Sequence, residues 1–203
     1  MYSLSRLEDL RHLNFESFKP QGRVGIGPNE QRSLEQAYQR AQHYAERPQG
    51  WLLLQGGFGV GKTHLAAAVA NRAVVAGVPT LFVTVPDLLD GLRAAYAAED
   101  TSFEERFEQV RGAGLLVLDD FGTQNATGWA REKLFQILNY RYNGRLPTVI
   151  TVGRPLEELP DAWVSRMYDD KVSLLFRIEA PDYRGLRRPD RRDPRPGRDP
   201  RRR

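Results

Sequence analysis

The chain of 203 residues contains no cysteine, which excludes disulfides, thiolate ligation of zinc or iron–sulfur centres and thiol catalysis together. Its three histidines, His12, His43 and His64, are scattered, so no histidine-based metal cluster is expected. No apolar run approaches the roughly 20 residues needed to cross a bilayer. Charges interrupt the N-terminal stretch MYSLSRLEDLRHLNF where a secretion signal requires an apolar core. Together these absences predict a cytoplasmic protein without a membrane partner.

Excess positive charge is also missing from most of the chain. Residues 184–203 hold ten Arg against three Asp, whereas residues 1–183 hold 20 Lys and Arg against 23 Asp and Glu, so the net +4 belongs to the tail. That tail carries four prolines and almost no apolar residue, too little to offset its ordering entropy, and it reads as disordered. Its charge would bind phosphates non-specifically and with strong salt dependence, or serve only as a solubilising extension.

What remains is an ordinary globular composition, 40% hydrophobic and 28% charged. Strand-like apolar runs at 51–55, 80–85, 115–119, 148–152 and 172–178 alternate with helical patterns, the signature of a parallel sheet covered by helices on both faces. Helices are predicted over 30–46, with Leu34, Ala37, Tyr38, Ala41, Tyr44 and Ala45 at helical spacing, over 62–77 with Gly77 as C-terminal cap, over 102–112 behind a Ser102–Glu105 capping box, and over 128–143. The resulting division is an N-terminal extension at 1–29, one α/β domain at 30–183 and the tail at 184–203.

Two stretches carry chemistry. Gly56, Gly57, Phe58, Gly59, Val60, Gly61, Lys62 and Thr63 match G-x-x-x-x-G-K-[ST], directly after a strand and at the start of a helix. Glycines let the backbone wrap with its N–H groups inward, forming an anion nest at a helix N-terminus. Lys62 then reaches the β- and γ-phosphates of ATP, and Thr63 offers its hydroxyl to Mg2+. His64 follows directly and is counted among the nucleotide-contacting residues. The second stretch, Leu115 to Asp120, is an apolar strand ending in two acids; Asp119 is the natural magnesium partner through water, and Asp120 the group to polarise the attacking water.

These residues resemble the AAA+ ATPases of the DnaC/DnaI helicase-loader and IstB transposition-helper group, through GKTHLA at 61–66, VPDLL at 85–89, LDDFG at 118–122, WAREK at 129–133, ILNYRY at 137–142 and LPTVIT at 146–151. The resemblance implies a P-loop NTPase fold of AAA+ type, three layers around a five-stranded parallel sheet, with little or no C-terminal lid. It implies ATP hydrolysis with Mg2+ as cofactor. It also implies that Arg166, in Ser165-Arg166-Met167, is presented to the nucleotide of a neighbouring subunit, so that a homo-oligomer carries nucleotide at its subunit interfaces. Taken alone, Arg166 would read as a surface ion pair with Asp161 or Asp169.

Partners follow from the same resemblance: single-stranded DNA, through residues 86–111, and a replicative helicase or, in the transposition branch, a transposase. In residues 86–111 only Arg93, Arg106 and Arg111 are basic, and acids outnumber them, so the segment also reads as an ordinary amphipathic helical pair. Phe15 and Phe18 resemble the segment that packs on adenine in relatives, or else form a core clasp. Helicase loaders of this type carry a separate N-terminal domain that grips the helicase, whereas about thirty residues precede the first helix here. Where the family places a polar residue and then a sensor Asn after the fourth strand, this chain has Val152 and Gly153, which sets Thr151 as the substitute sensor or predicts slow hydrolysis. A metabolite kinase on a P-loop fold would use the same phosphate loop but gives Arg166 no role.

Overall fold

The computed structural model describes residues 5–97, 102–122 and 127–185. Five strands, β1 (Trp51–Gly56), β2 (Thr80–Thr84), β3 (Leu115–Phe121), β4 (Thr148–Val152) and β5 (Ser173–Ile178), form one parallel sheet in the order β2-β3-β4-β1-β5. Six helices connect or precede them: α1 (Pro28–Glu46), α2 (Lys62–Val75), α3 (Val85–Ala97), α4 (Ser102–Gly112), α5 (Gly128–Asn143) and α6 (Asp161–Met167). This is the expected three-layer α/β architecture, and no helix or strand follows β5 among the described residues.

Near-continuous apolar strands are what a sheet buried on both faces requires. Leu52, Leu54, Phe82, Leu115, Val117 and Val149 face α1 and α2. The alternate residues Trp51, Leu53, Leu116, Leu118, Ile150 and Val152 face the helices α3 to α6. The two-residue period of a strand thus divides one run of hydrophobics between two cores.

Element ends differ from expectation for local reasons. Helix α1 starts two residues early because Pro28 occupies its first turn, where a missing N–H costs nothing. Helix α2 ends at Val75, and Gly77 at φ +79 forms the predicted cap, with Val78 N–H donating to the Ala73 carbonyl. Strand β2 stops at Thr84 because Val85 already opens α3. Helix α6 has only seven residues, too short for a periodic signal, yet it buries Trp163 and Met167 at i, i+4. The disordered-tail reading covers residues 184–203; its first two residues are placed, with Arg184 N–H donating to Asp182 Oδ1, while 186–203 and the Ser102 side chain of the predicted capping box lie outside the described residues.

Residues 5–27 form a strap rather than a detached arm. Its start lies on the open edge of the sheet, where Arg6 N–H donates to the Phe82 carbonyl of β2 at 2.9 Å. Leu7 and Phe15 are buried in the core that α1 and α2 build. Asn71 of α2 holds the strap with two donations from Nδ2, to the carbonyls of Leu10 and Leu13, each at 3.0 Å.

Candidate nucleotide site

The phosphate loop leaves β1 at Gly56 and enters α2 at Lys62. Gly59 and Gly61 hold φ of +70 and +97, a region where a Cβ is strained, so glycine is what allows the loop to curl around an anion. Lys62 is buried, and its Nζ donates to the carbonyls of Gly56 at 3.0 Å and Gly57 at 2.7 Å. Burial pulls its pKa below the usual lysine value, with the charges of Asp120 and Asp119 opposing that fall. Thr63 Oγ1 lies 3.0 and 3.1 Å from the two carboxylate oxygens of Asp119, to one of which it donates.

Asp119, 3% exposed, ends the regular pairing of β3. Burial raises its pKa above the ordinary carboxylate value, and a hydrogen bond from Thr151, with Oγ1 2.6 Å from Oδ1, works in the opposite direction. Thr151 also accepts from the Asp120 N–H at 3.0 Å. Thr151 is fully buried and committed to both acids, so it braces them.

Between Leu118 and Phe121 the β3–β4 register shifts, and Asp120 takes φ +55. Aspartate tolerates this left-handed conformation better than most side chains. The bulge separates the two acids: Asp119 stays beside Thr63, while Asp120 is exposed and lines a cavity of about 480 Å³ together with Gly59, Gly61, Lys62, Thr63 and His64. Bulges beside sites commonly re-aim a side chain in this manner.

The cavity walls come from both flanks of the domain. The strap contributes Leu13, Phe18, Gly22 and Ile26, and the segment after β5 contributes Pro181, Tyr183 and Arg184. Lys19, Arg23, Lys62 and Arg184 make its charge mostly positive. Tyr183 N–H donates to the Gly59 carbonyl at 3.0 Å, seating the C-terminal segment on the phosphate loop. Sequence reasoning missed this contribution, since nothing in Pro181-Asp182-Tyr183-Arg184 marks it locally. Of the two phenylalanines, Phe15 is buried edge-on to Tyr38, as a core clasp would be, and Phe18 stacks on Tyr38 while lining the cavity.

These residues fit a magnesium-bound triphosphate. Magnesium takes one or two protein oxygens plus phosphate oxygens and water, so it needs no protein-only cage; none of three or more His, Asp or Glu occurs among the described residues. Thr63 and the buried Asp119 supply hard oxygen donors, and the glycine loop with its four surrounding cations suits the phosphates.

Arg166 stands apart from this cluster. Ser173 Oγ donates to its carbonyl, and Ser173 pairs with Trp51, the first residue of β1, whereas the phosphate loop follows the last. About 17 Å of strand separates the two ends, so Arg166 does not reach its own chain's loop. It does not form the ion pair with Asp161 or Asp169 read from sequence either; Asp169 accepts instead from the Tyr142 hydroxyl. The guanidinium donates to Ala162 O at 2.6 Å and Asn139 Oδ1 at 2.7 Å, and lies over the rings of Phe135 and Tyr142.

The family model for IstB-like ATP-binding proteins matches residues 28–177, which span the phosphate loop, both acids and Arg166. This chain belongs to the IstB-like ATP-binding protein family. It is 28% identical over 136 residues to the replicative helicase loader DnaC of Escherichia coli, covering 66% of this chain and 56% of the loader. It is 33% identical over 109 residues to the replicative helicase loader DnaI of Bacillus subtilis, covering 53% and 34%. An ATP-binding protein of insertion sequence IS1162 from Pseudomonas fluorescens is 36% identical over 104 residues, covering 51% and 44%. The match thus spans about half the length, or less, of these curated relatives. Among solved structures, the DnaC helicase loader superimposes with a TM-score of 0.70 at 24% identity, covering 85% of this chain and 99% of that one. The replication initiator DnaA bound to AMPPCP and single-stranded DNA gives 0.69 at 21%, covering 84% and 50%. The fold is therefore that of AAA+ P-loop domains. No helix among the described residues is long and apolar enough to cross a membrane.

Proposed function

We propose that the protein is a magnesium-dependent, ATP-hydrolysing AAA+ switch of the helicase-loader type, which binds single-stranded DNA and helps to place a replicative helicase. The observation that carries this reading is the convergence of Lys62, Thr63 and Asp120 at one cationic cavity, with the buried Asp119 hydrogen-bonded to Thr63 behind it. Magnesium-bound ATP would supply a triphosphate with its charge partly neutralised for in-line attack by water. Lys62 would exchange its loop carbonyls for phosphate oxygens, Thr63 and Asp119 would hold the metal, which would neutralise phosphate charge there, and Asp120 would polarise the attacking water and take its proton. Arg166 completes the site of a neighbouring copy, so turnover requires a homo-oligomer.

A surface on α3, α4 and α5 supports the DNA reading. Tyr96, 61% exposed, meets Phe103 and Trp129; Arg93 lies over Trp129, and Lys133 over both Phe103 and Phe107. Aromatic rings interleaved with cations stack bases and neutralise backbone phosphates without sequence preference. A second reading, a transposition helper whose partner is a transposase, is favoured by the insertion-sequence relative. Retention of a replicative helicase or of a transposase on the immobilised protein separates the two.

The deciding measurement of activity is phosphate release with single-stranded DNA present, in the wild type and in Lys62→Ala. Turnover abolished by the substitution supports the motor; tight ATP binding without turnover in the wild type makes the protein a nucleotide-gated binding module instead.

A further inference from the structure

We propose that His64 is a positioning residue for the nucleoside half of the ligand: its side chain holds the strap that walls the cavity and takes no part in the grip on the phosphates. The inference rests on the reading of the cavity as a nucleoside triphosphate site. His64 directly follows Lys62 and Thr63, at the N-terminal turn of α2, yet its ring faces the strap. Nε2 lies 2.9 Å from the Asn14 carbonyl and 3.1 Å from Ser17 Oγ. A carbonyl only accepts, so Nε2 carries the proton and donates.

The strap side of this junction is itself ordered. Ser17 N–H donates to Asn14 Oδ1 at 2.8 Å, Asn14 N–H donates to Ser17 Oγ at 3.1 Å, and that hydroxyl donates to the His12 carbonyl at 2.8 Å. The next residue is Phe18. Its ring meets the His64 imidazole edge-on at 5.1 Å and stacks on Tyr38 at 5.7 Å. It also lies against the loop, since a Cβ on Gly61 would come within 2.8 Å of its Cε2. One imidazole thus fixes the turn that aims Phe18 across the cavity, and does so from the helix that begins at the phosphate loop. An apolar aromatic wall beside the anion nest suits the flat, apolar face of a nucleobase.

If His64 pre-orders this wall, its loss charges the ordering of the strap to nucleoside binding alone, an effect of about tenfold in affinity. The test compares ATP with inorganic tripolyphosphate, each with magnesium, by calorimetry on the full chain. His64→Ala is expected to weaken ATP about tenfold and leave tripolyphosphate within about twofold, and His64→Gln, whose amide N–H can reach the same carbonyl, to restore ATP affinity. Equal affinity of His64→Ala and wild type for ATP overturns the inference, as does an equal loss for both ligands, or His64→Gln behaving like His64→Ala. Should His64→Ala not fold, Ser17→Ala and Phe18→Leu carry the same comparison, with the same selective loss of ATP expected. Failure of the wild type to bind tripolyphosphate would instead overturn the reading of the phosphate loop, so the two failures are distinguishable.

Discussion

Asp119 and Thr151 show how a single buried carboxylate can work against the fold that houses it. Burial raises the Asp119 pKa, so the native state binds its proton more tightly than the unfolded chain does. By linkage, ligand-free stability then falls as pH rises through the interval from the ordinary value of 3.8 to the raised one, and the penalty is fully present above it. Asp119→Asn keeps an oxygen for the hydroxyls of Thr63 and Thr151 without the buried charge. At neutral pH it is expected to raise the ligand-free melting temperature by about 2–4 °C, roughly 1 kcal/mol for a chain of this size, while magnesium-dependent ATP binding is lost. Differential scanning fluorimetry with and without ligand reads both effects. Gly153 gives a second test at this scale. A Cβ there meets nothing within 4 Å, so a side chain fits where the resembling family carries its sensor Asn. Because Thr151 is occupied with the two acids, Gly153→Asn is expected to raise steady-state turnover, by up to about a hundredfold if the donor reaches the developing charge. Unchanged turnover would mean that the chain compensates for the missing amide by another route.

The end of α5 is held by Arg141, which is fully buried. Its Nε donates to Thr148 Oγ1, Nη1 to the carbonyls of Arg111 and Ala113, and Nη2 to that of Pro147. One guanidinium therefore ties α5 to the end of α4 and to the starts of β3 and β4. Burial lowers its pKa to about 10, and its hydrogen-bond partners are neutral oxygens. Arg141→Ala strips those carbonyls of their donors and leaves a void, so a loss of about 3 kcal/mol is expected, read as a lower urea midpoint. Nothing near Tyr140-Arg141-Tyr142 announces this in sequence, where an arginine in a helix reads as solvated. The five strands were legible because parallel strands buried on both faces are written as short, dense apolar runs. The phosphate loop and the acid pair were legible because their spacing is set by local backbone chemistry. The strap showed only through Phe15 and Phe18, and two things were hidden altogether: the bulge that parts Asp119 from Asp120, and the segment at 181–184 that lines the cavity. Each depends on contacts between residues far apart in the chain, and neither leaves a periodic trace.

At the scale of the whole molecule, the decisive distance is the length of the sheet. The phosphate loop and Arg166 lie at opposite ends of the strands, so the trans reading predicts that turnover rises steeply with protein concentration and that Arg166→Ala abolishes the rise while single-chain ATP affinity stays normal. Mixing supplies a sharper test. Lys62→Ala lacks a working loop but keeps Arg166, and Arg166→Ala keeps the loop; combined in equal amounts, the two inactive variants are expected to recover a fraction of wild-type turnover. A mixture as inactive as its components would assign Arg166 to its observed contacts with Asn139, Phe135 and Tyr142 alone. On the trans reading, assembly would have to release Arg166 from those contacts, in which its buried Nε has no hydrogen-bond partner.

The strap and the segment after β5 meet at the cavity rim, closely enough that a Cβ on Gly185 would lie 2.4 Å from the Arg23 Nη1. Arg23 and Gly185, far apart in the chain, are thereby held at one rim, so a ligand entering the cavity would press on both stretches at once.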